Sequence, residues 1–288
     1  MIDRRTVISA VAGLILPSPI AARGAPDFLD PLTKEGRYLP SWARLMANDP
    51  MMIRPQYAAF LGDETTALAA SGQFDYPLAD LSGATGQRAI DAIRSAAVGR
   101  SVVMLNEAHV ASRHRMFLTQ MLRALRGDGF THFAAETFSN SAIPAEQAVQ
   151  RLRAGDPVTG GVGFYTCDPV FAEAVREALE LGYQLLPYEA RPAQTAGAAP
   201  ADLGARREQA EAENFAAALK ASPQGRFIIY VGYSHLAKAP DPSGKAWFAL
   251  RLRSVAGVDP LTIDQAYPGS FGPHGHDGPL ATAVLTKF

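Results

Sequence analysis

From residue 86 onward, short apolar runs alternate with longer amphipathic segments, and this alternation constrains the fold more than any other feature. The apolar runs predict buried strands, and apolar residues at helical spacing predict helices. Such alternation favours an α/β fold with a mostly parallel central sheet flanked by helices on both faces. The predicted strands are residues 101–106, 131–136, 183–188, 226–231 and 261–266, with a last one near 283–287. The predicted helices are residues 86–98, 111–126, 141–154, 170–181, 204–220 and 245–254.

The amino-terminal segment has the order of an export signal. Arg4 and Arg5 precede an apolar stretch at residues 7–16, and small residues follow up to Ala25. The stretch is too short to cross a bilayer, and the arginine pair resembles a twin-arginine signal. We therefore expect residues 1–25 to be the signal peptide of an exported, periplasmic protein that has no later membrane-spanning segment.

Prolines interrupt the next segment, residues 26–85, and break up any long element there. Short helices are predicted at residues 41–48 and 54–70. We interpret this segment as an irregular, partly helical N-terminal extension. It is expected to pack on an α/β domain formed by residues 86–288.

Composition limits the classes of partner. The 288 residues carry a net charge of −1, so the chain as a whole lacks the basic excess that neutralises nucleic-acid phosphates. We therefore expect a small-molecule or peptide substrate and no nucleic acid, and the oligomeric state stays open. Cys167 is the single cysteine, which excludes an intrachain disulfide and a CxxC metal or redox motif.

Acids and histidines follow four successive predicted strands. They are Glu107 and His109, Glu136, Glu189 and His235. The carboxyl ends of parallel strands share one edge of a sheet, where open α/β proteins hold their ligands. Burying such groups is costly unless they are paired or liganded, and crowding pushes the pKa values of neighbouring carboxyls apart. The pattern therefore predicts a polar pocket suited to proton transfer or metal binding.

Each of these residues also has a structural alternative. Glu107 and His109 are suited to capping the following helix, Glu136 to pairing with Arg113 or Arg115, and Glu189 to a loop ion pair. His132 opens a strand at the opposite edge and is interpreted as structural. His274 and His276 lie in the Gly- and Pro-rich sequence GPHGHDGP, which is typical of a solvated loop. No Gly-x-Ser-x-Gly elbow is present, which disfavours an ordinary serine esterase.

Four motifs resemble a known superfamily. The segment Leu105-Asn106-Glu107-Ala108-His109 is similar to its strand-terminal Gly-Glu-x-His. The others are the further histidine His114 in the next helix, the strand end Ala135-Glu136, and the late Gly-x-x-His at Gly232-Tyr233-Ser234-His235. The superfamily joins the erythromycin esterases, the ChaN-like haem-binding proteins and the TIKI metalloproteases. The spacing is that of the ChaN-like form, and the resemblance covers about residues 85–266.

A helix before the last motif resembles the Arg-Asp-x-x-Met-Ala-x-Asn helix of the erythromycin-esterase-like proteins, whose arginine faces the site. Here Arg207 and Asn214 match that pattern, and Glu211 stands in place of methionine. Two further departures are Asn106 in place of the usual glycine and Val110 in place of the ChaN-like aspartate.

The resemblance implies a hydrolase-like protein that activates water for ester, lactone or amide hydrolysis, with or without a metal, and the amino-terminal segment implies export. We expect His109 to act as general base or metal ligand, with Glu107 and Glu136 orienting it. His235 would stabilise an oxyanion or serve as a second ligand, and Arg207 would hold a substrate carboxylate or the oxyanion. The loop at residues 155–169, with Phe164 and Tyr165, would cover the pocket.

The cofactor stays open between a divalent metal and haem. The predicted metal ligands are His109, His235, Glu107, Glu136 and Glu189, a donor set that favours Zn²⁺, Mn²⁺ or Fe²⁺ over Ca²⁺. The rival interpretation is a haem-binding or iron-uptake protein of ChaN type without catalysis. Its candidate haem ligands are His114, Tyr165 and Tyr233.

Overall fold

The computed structural model describes residues 54–70, 85–138 and 157–266, with single positions at 39, 150, 152 and 155. Several sequence predictions lie outside the described residues. They are the signal peptide at 1–25, the helix at 41–48, most of the helix at 141–154, the strand near 283–287, and His274 and His276.

A parallel sheet of five strands forms the centre of the described structure, in the order β3-β2-β4-β1-β5. The strands are β1 (Val102–Glu107), β2 (His132–Ala135), β3 (Gln184–Leu186), β4 (Phe227–Gly232) and β5 (Leu261–Ile263). This confirms the predicted α/β fold. Strands β2, β3 and β5 are shorter than predicted. Strand β3 ends before Pro187, which lacks the N–H that would continue the ladder.

Helices cover both faces of the sheet. In chain order they are α1 (Arg54–Phe60), α2 (Glu64–Ala70), α3 (Ala89–Ala96), α4 (Ser112–Gly127), α5 (Pro169–Glu180), α6 (Pro192–Thr195), α7 (Leu203–Ala221) and α8 (Phe248–Ala256). Short 3-10 helices span Phe164–Cys167 and Tyr233–Leu236. Helices α3, α4 and α5 pack on one face, and α7 and α8 pack on the other.

Strand β1 shows how the two faces share the core. Val103 and Leu105 point into the core under α4 and α5, whereas Val102 and Met104 point into the core under α7 and α8. Successive side chains of a strand alternate between faces, so a strand covered on both sides is apolar throughout. This is why the sequence shows an unbroken apolar run here rather than an alternating one.

Helices α1 and α2 pack beside the carboxyl end of β1. Ala58 and Ala67 belong to one buried cluster with Ala108 and Ala111, the residues that follow the strand. Gln56 Nε2 donates a hydrogen bond of 3.1 Å to the carbonyl oxygen of His109. The described part of the predicted N-terminal extension therefore contacts the segment that carries His109. No helix within the described ranges is long and apolar enough to cross a membrane.

Candidate functional site

The strand order opens a crevice between β2 and β4. The chain from β2 reaches β3 through α5 on one face, and the chain from β4 reaches β5 through α8 on the other face. Connections that diverge from adjacent strands leave a gap at their carboxyl ends, the usual ligand site of such sheets. Glu136 follows β2, and Gly232 ends β4, so both lie at this gap.

His109 lies at the edge of this crevice with its ring fixed on three sides. Its Nδ1 is 2.9 Å from Glu107 Oε1. Tyr165 stacks on the ring at a centroid distance of 4.1 Å, and Tyr233 meets it edge-on at 5.1 Å. A carboxylate accepts a hydrogen bond from Nδ1–H, so this contact favours the tautomer that leaves Nε2 with its lone pair.

A fully buried arginine, Arg115, holds Glu107 in place. It donates from Nε to Glu107 Oε2 at 2.7 Å and from Nη2 to Oε1 at 2.6 Å. It also donates to Asp168 Oδ2 at 2.6 Å and to the carbonyl oxygen of His109 at 2.8 Å. Burial alone would raise the pKa of Glu107, but Arg115, and then His109, lower that pKa to about 2. Glu107 is therefore a fixed anion behind the imidazole.

Asp168 is also the N-cap residue of helix α5. Its Oδ1 accepts the backbone N–H groups of Val170 and Phe171, and Pro169 occupies the first helical position. This is a common arrangement at a helix start. The contact of Asp168 with Arg115 was not predicted from the sequence, because Arg115 lies on another helix.

Glu136 lies across the crevice from Glu107. Its Oε2 accepts a 2.8 Å hydrogen bond from the Gly232 N–H, and its Oε1 accepts one of 3.0 Å from Arg207 Nη2. Burial opposes ionisation, but His235, Arg207 and His109 hold the pKa of Glu136 well below its usual range. The predicted alternative partners Arg113 and Arg115 are wrong, since these arginines pair with Glu64 and with Glu107 and Asp168.

Gly232 is the point of closest approach between the two halves of the site. A Cβ at this position would overlap Cε1 and Nε2 of His109 and would lie 3.1 Å from Glu136 Oε2. The Nε2 edge of the His109 ring and the carboxylate of Glu136 therefore both face the space above Gly232.

Arg207 is surrounded by acids. Besides Glu136, its guanidinium donates to Glu189 Oε1 at 2.9 Å and to Glu189 Oε2 at 2.5 Å, and its Nη2 is 2.9 Å from Glu211 Oε1. These contacts bring the predicted residues Glu136, Glu189 and Arg207 together. A substrate anion at Arg207 would have to displace one of these carboxylates.

His235 is buried on the far side of Glu136. Its Nδ1 is 3.1 Å from Glu208 Oε2, and its Nε2 is 3.6 Å from Glu136 Oε1. Burial would lower the pKa of His235, but Glu208 and Glu136 raise it above the usual value. Glu208 was not among the residues predicted from the sequence. The available signal was its position in the Arg-Asp-x-x-Met-Ala-x-Asn pattern, where Glu208 stands at the acidic position after Arg207.

Asn106, which replaces the usual glycine, anchors the loops around the site. Its Nδ2 donates to the carbonyl oxygen of Tyr233 at 2.9 Å and to Asp264 Oδ1 at 2.7 Å, and its Oδ1 accepts from the Gln265 N–H at 2.6 Å. Tyr233 has a φ of 34°, an uncommon conformation for a residue other than glycine. The asparagine thus ties the residue that covers His109 to the end of β5.

The three candidate haem ligands differ in exposure. Tyr233 is 46% exposed, Tyr165 is half-buried against His109, and His114 is buried with Nδ1 accepting a 3.0 Å hydrogen bond from the Ala108 N–H. A haem role for these residues stays a prediction.

Because His114 is buried, we expect the stability of the folded protein to fall at acidic pH. Burial lowers its pKa to about 4 from an ordinary 6.5, against the opposing effect of Glu107. Between these values the unfolded chain binds a proton that the folded protein does not, so stability rises with pH. We expect the free energy of unfolding to drop by about 3 kcal/mol more from pH 7 to pH 4 in the wild type than in His114→Gln. Urea unfolding across this range measures the difference, and equal pH dependence in both proteins would contradict the assignment.

The sequence matches no family model and no curated protein. Among solved structures, the type III effector HopBA1 is 16% identical with a TM-score of 0.42, and the match covers 65% of this chain and 90% of that one. RRSP, a MARTX toxin effector domain from Vibrio vulnificus CMCP6, is 16% identical with a TM-score of 0.42, over 77% of this chain and 44% of that one. A structure described as bacterial protein toxins is 15% identical with a TM-score of 0.45, over 81% and 46%. The chain thus spans less than half of the last two proteins, and likenesses this low carry no argument about activity.

Proposed function

We propose that this protein is an exported, hydrolase-like enzyme in which His109 activates water for the hydrolysis of an ester, a lactone or an amide. The observation that carries the proposal is the contact between His109 Nδ1 and Glu107 Oε1, with Glu107 ionised by a buried arginine. Export rests on the signal-like order of residues 1–25.

The hydrogen-bonded pair of Glu107 and His109 is suited to general base catalysis. Glu107 holds the imidazole by Nδ1 and leaves Nε2 to take the proton of a water molecule as its oxygen attacks a carbonyl carbon. The imidazolium that forms is stabilised by the Glu107 anion, and Nε2 then returns the proton to the leaving group. Each of these steps needs only the fixed carboxylate–imidazole pair that the fold builds at the end of β1.

Positive charge at His235, across the crevice from His109, would stabilise the transition state of this reaction. The attack of water on a carbonyl creates an oxyanion, which preorganised positive charge stabilises. His235 supplies that charge either as a protonated imidazole or through a metal ion that it binds. Glu136 accepts a hydrogen bond from the Gly232 N–H and also contacts His235 and Arg207, so it fixes the positions of both side chains relative to the end of β4.

A panel of chromogenic esters, lactones and peptide amides tests the proposal. We expect the wild type to hydrolyse at least one class and His109→Gln to reduce kcat by about 10²–10⁴-fold, the usual contribution of a general base. His132→Gln is the matched control, because His132 stacks on Phe227 at the opposite edge of the sheet. We expect this control to keep its activity.

Two results would contradict the proposal. One is equal hydrolysis by the wild type and His109→Gln. The other is a Soret band on addition of haemin together with no hydrolysis of any substrate class, which would favour the haem-binding alternative.

A further inference from the structure

We propose that Glu208, Glu211 and His235 form a binding site for one divalent transition-metal ion, with Zn²⁺ as the best match. This ligand set differs from the one expected from the sequence, because two of its members come from helix α7. The site is a property of the chain that holds whether or not His109 acts as a base.

The three side chains converge from two parts of the fold, helix α7 and the segment after β4. Their candidate ligand atoms all lie within 4.8 Å of one another. Glu208 and Glu211 are one turn apart on α7, so they share a face of the helix, and His235 follows β4. All three are buried, at 2%, 1% and 9% exposure, which shields a bound ion from competing solvent.

The donor set matches a transition metal. One imidazole nitrogen and two carboxylate oxygens give three protein ligands, the number found in zinc sites that keep a position open. The imidazole disfavours Mg²⁺ and Ca²⁺, which prefer oxygen ligands throughout. His235 Nδ1 and Glu208 Oε2 are already 3.1 Å apart, so two of the donors stand side by side.

An unsatisfied oxygen supports the assignment independently. Glu211 Oε1 is buried and accepts no hydrogen bond from the described part of the chain. Arg207 Nη2 lies 2.9 Å away, but this ion pair lacks hydrogen-bond geometry. Arg207 offsets charge at this oxygen but leaves it without a hydrogen bond, and a bound cation would supply a direct ligand contact.

Glu211 stands where the erythromycin-esterase-like pattern that this helix resembles has methionine. The site borders the His109 crevice, since Glu136 Oε1 is 3.6 Å from His235 Nε2. A zinc ion here would act as a Lewis acid toward a carbonyl oxygen in the crevice.

Zinc titration of the full chain tests the inference. Protein stripped of metal with a chelator is titrated with ZnCl₂ in competition with a chromophoric chelator, and folding is followed by circular dichroism. We expect one Zn²⁺ per wild-type chain. The zinc affinity of Glu211→Met should be at least about 100-fold weaker, because removing a metal ligand weakens binding more than removing a group that only hydrogen-bonds to a ligand. If Glu211→Met fails to fold, Glu211→Gln, which keeps the side-chain size, is measured instead.

The controls separate this inference from the proposed hydrolysis. Glu213→Met makes the same change at an exposed position of α7 and should leave the zinc affinity unchanged. His109→Ala should abolish hydrolysis and keep zinc binding. Two results would overturn the inference. One is a wild type that takes up no zinc. The other is a Glu211→Met variant that binds zinc as tightly as the wild type. If His274→Ala/His276→Ala then removes the binding, the zinc lies at those two histidines and not at the proposed site.

Discussion

Replacing Arg115 by methionine is expected to lower the free energy of unfolding by about 3–5 kcal/mol, the cost of breaking a buried ion pair by removing one partner. The guanidinium has no exposed surface and binds Glu107 and Asp168 together. Without it, two buried carboxyls lose their counter-ion, and the carbonyl oxygen of His109 loses a donor. Urea unfolding at neutral pH measures the change.

Arg123→Met is the matched control, because Arg123 lies on the same helix and also pairs with a glutamate. Its side chain is 60% exposed, so water replaces the lost contact and the stability should hardly change. Adding Glu107→Gln to Arg115→Met should recover part of the loss, since it removes one of the stranded charges. Equal effects of the two arginine substitutions would contradict the buried network.

Gly232→Ala is expected to reduce kcat/KM by at least about 100-fold, because a shift of about 1 Å in a reacting group is enough for such a loss. The new Cβ would overlap the Nε2 edge of His109, so the ring must move away from the crevice. The backbone itself tolerates alanine here, since Gly232 has a φ of −83° and a ψ of 146°. The protein should therefore fold normally while losing activity.

Gly127→Ala is the control for this substitution. A Cβ at Gly127 would meet no atom within 4 Å, and the residue ends helix α4, where alanine is favourable. Activity and the thermal midpoint are measured for both variants. Full activity in Gly232→Ala would mean that the position of His109 above β4 does not matter for the reaction.

The sequence predicted the inner strands β1, β2 and β4 because they are buried along their whole length. Buried strands of this kind appear as unbroken apolar runs, and their carboxyl ends are marked by the acids and histidines that follow. The parallel arrangement then brings Glu107, His109, Glu136 and His235 to one edge, as expected. The ends of β3 and β5 were placed too late, because Pro187 and the Asp264 turn stop the ladders early.

The strand order was not available from the sequence, and it decides how the site is built. Strand β4 lies between β2 and β1, which puts Gly232 between Glu136 and the His109 ring. The partners of Arg115 and His235 were also missed. Asp168 and Glu208 are 53 and 27 residues away from them in the chain, so only the packing of helices on the sheet brings these charges together.

The tautomer of His109 reports on its role as a base and can be measured without a known substrate. Nitrogen-15 NMR of histidine-labelled protein at about pH 8, where an ordinary histidine is neutral, distinguishes a protonated from an unprotonated ring nitrogen. His109→Gln identifies the signals. If His109 is a base held by Glu107, Nδ1 carries the proton and donates it to Glu107, and Nε2 is unprotonated. A His109 ring protonated at Nε2 alone would contradict this role, because Glu107 would then not hold a base in the crevice.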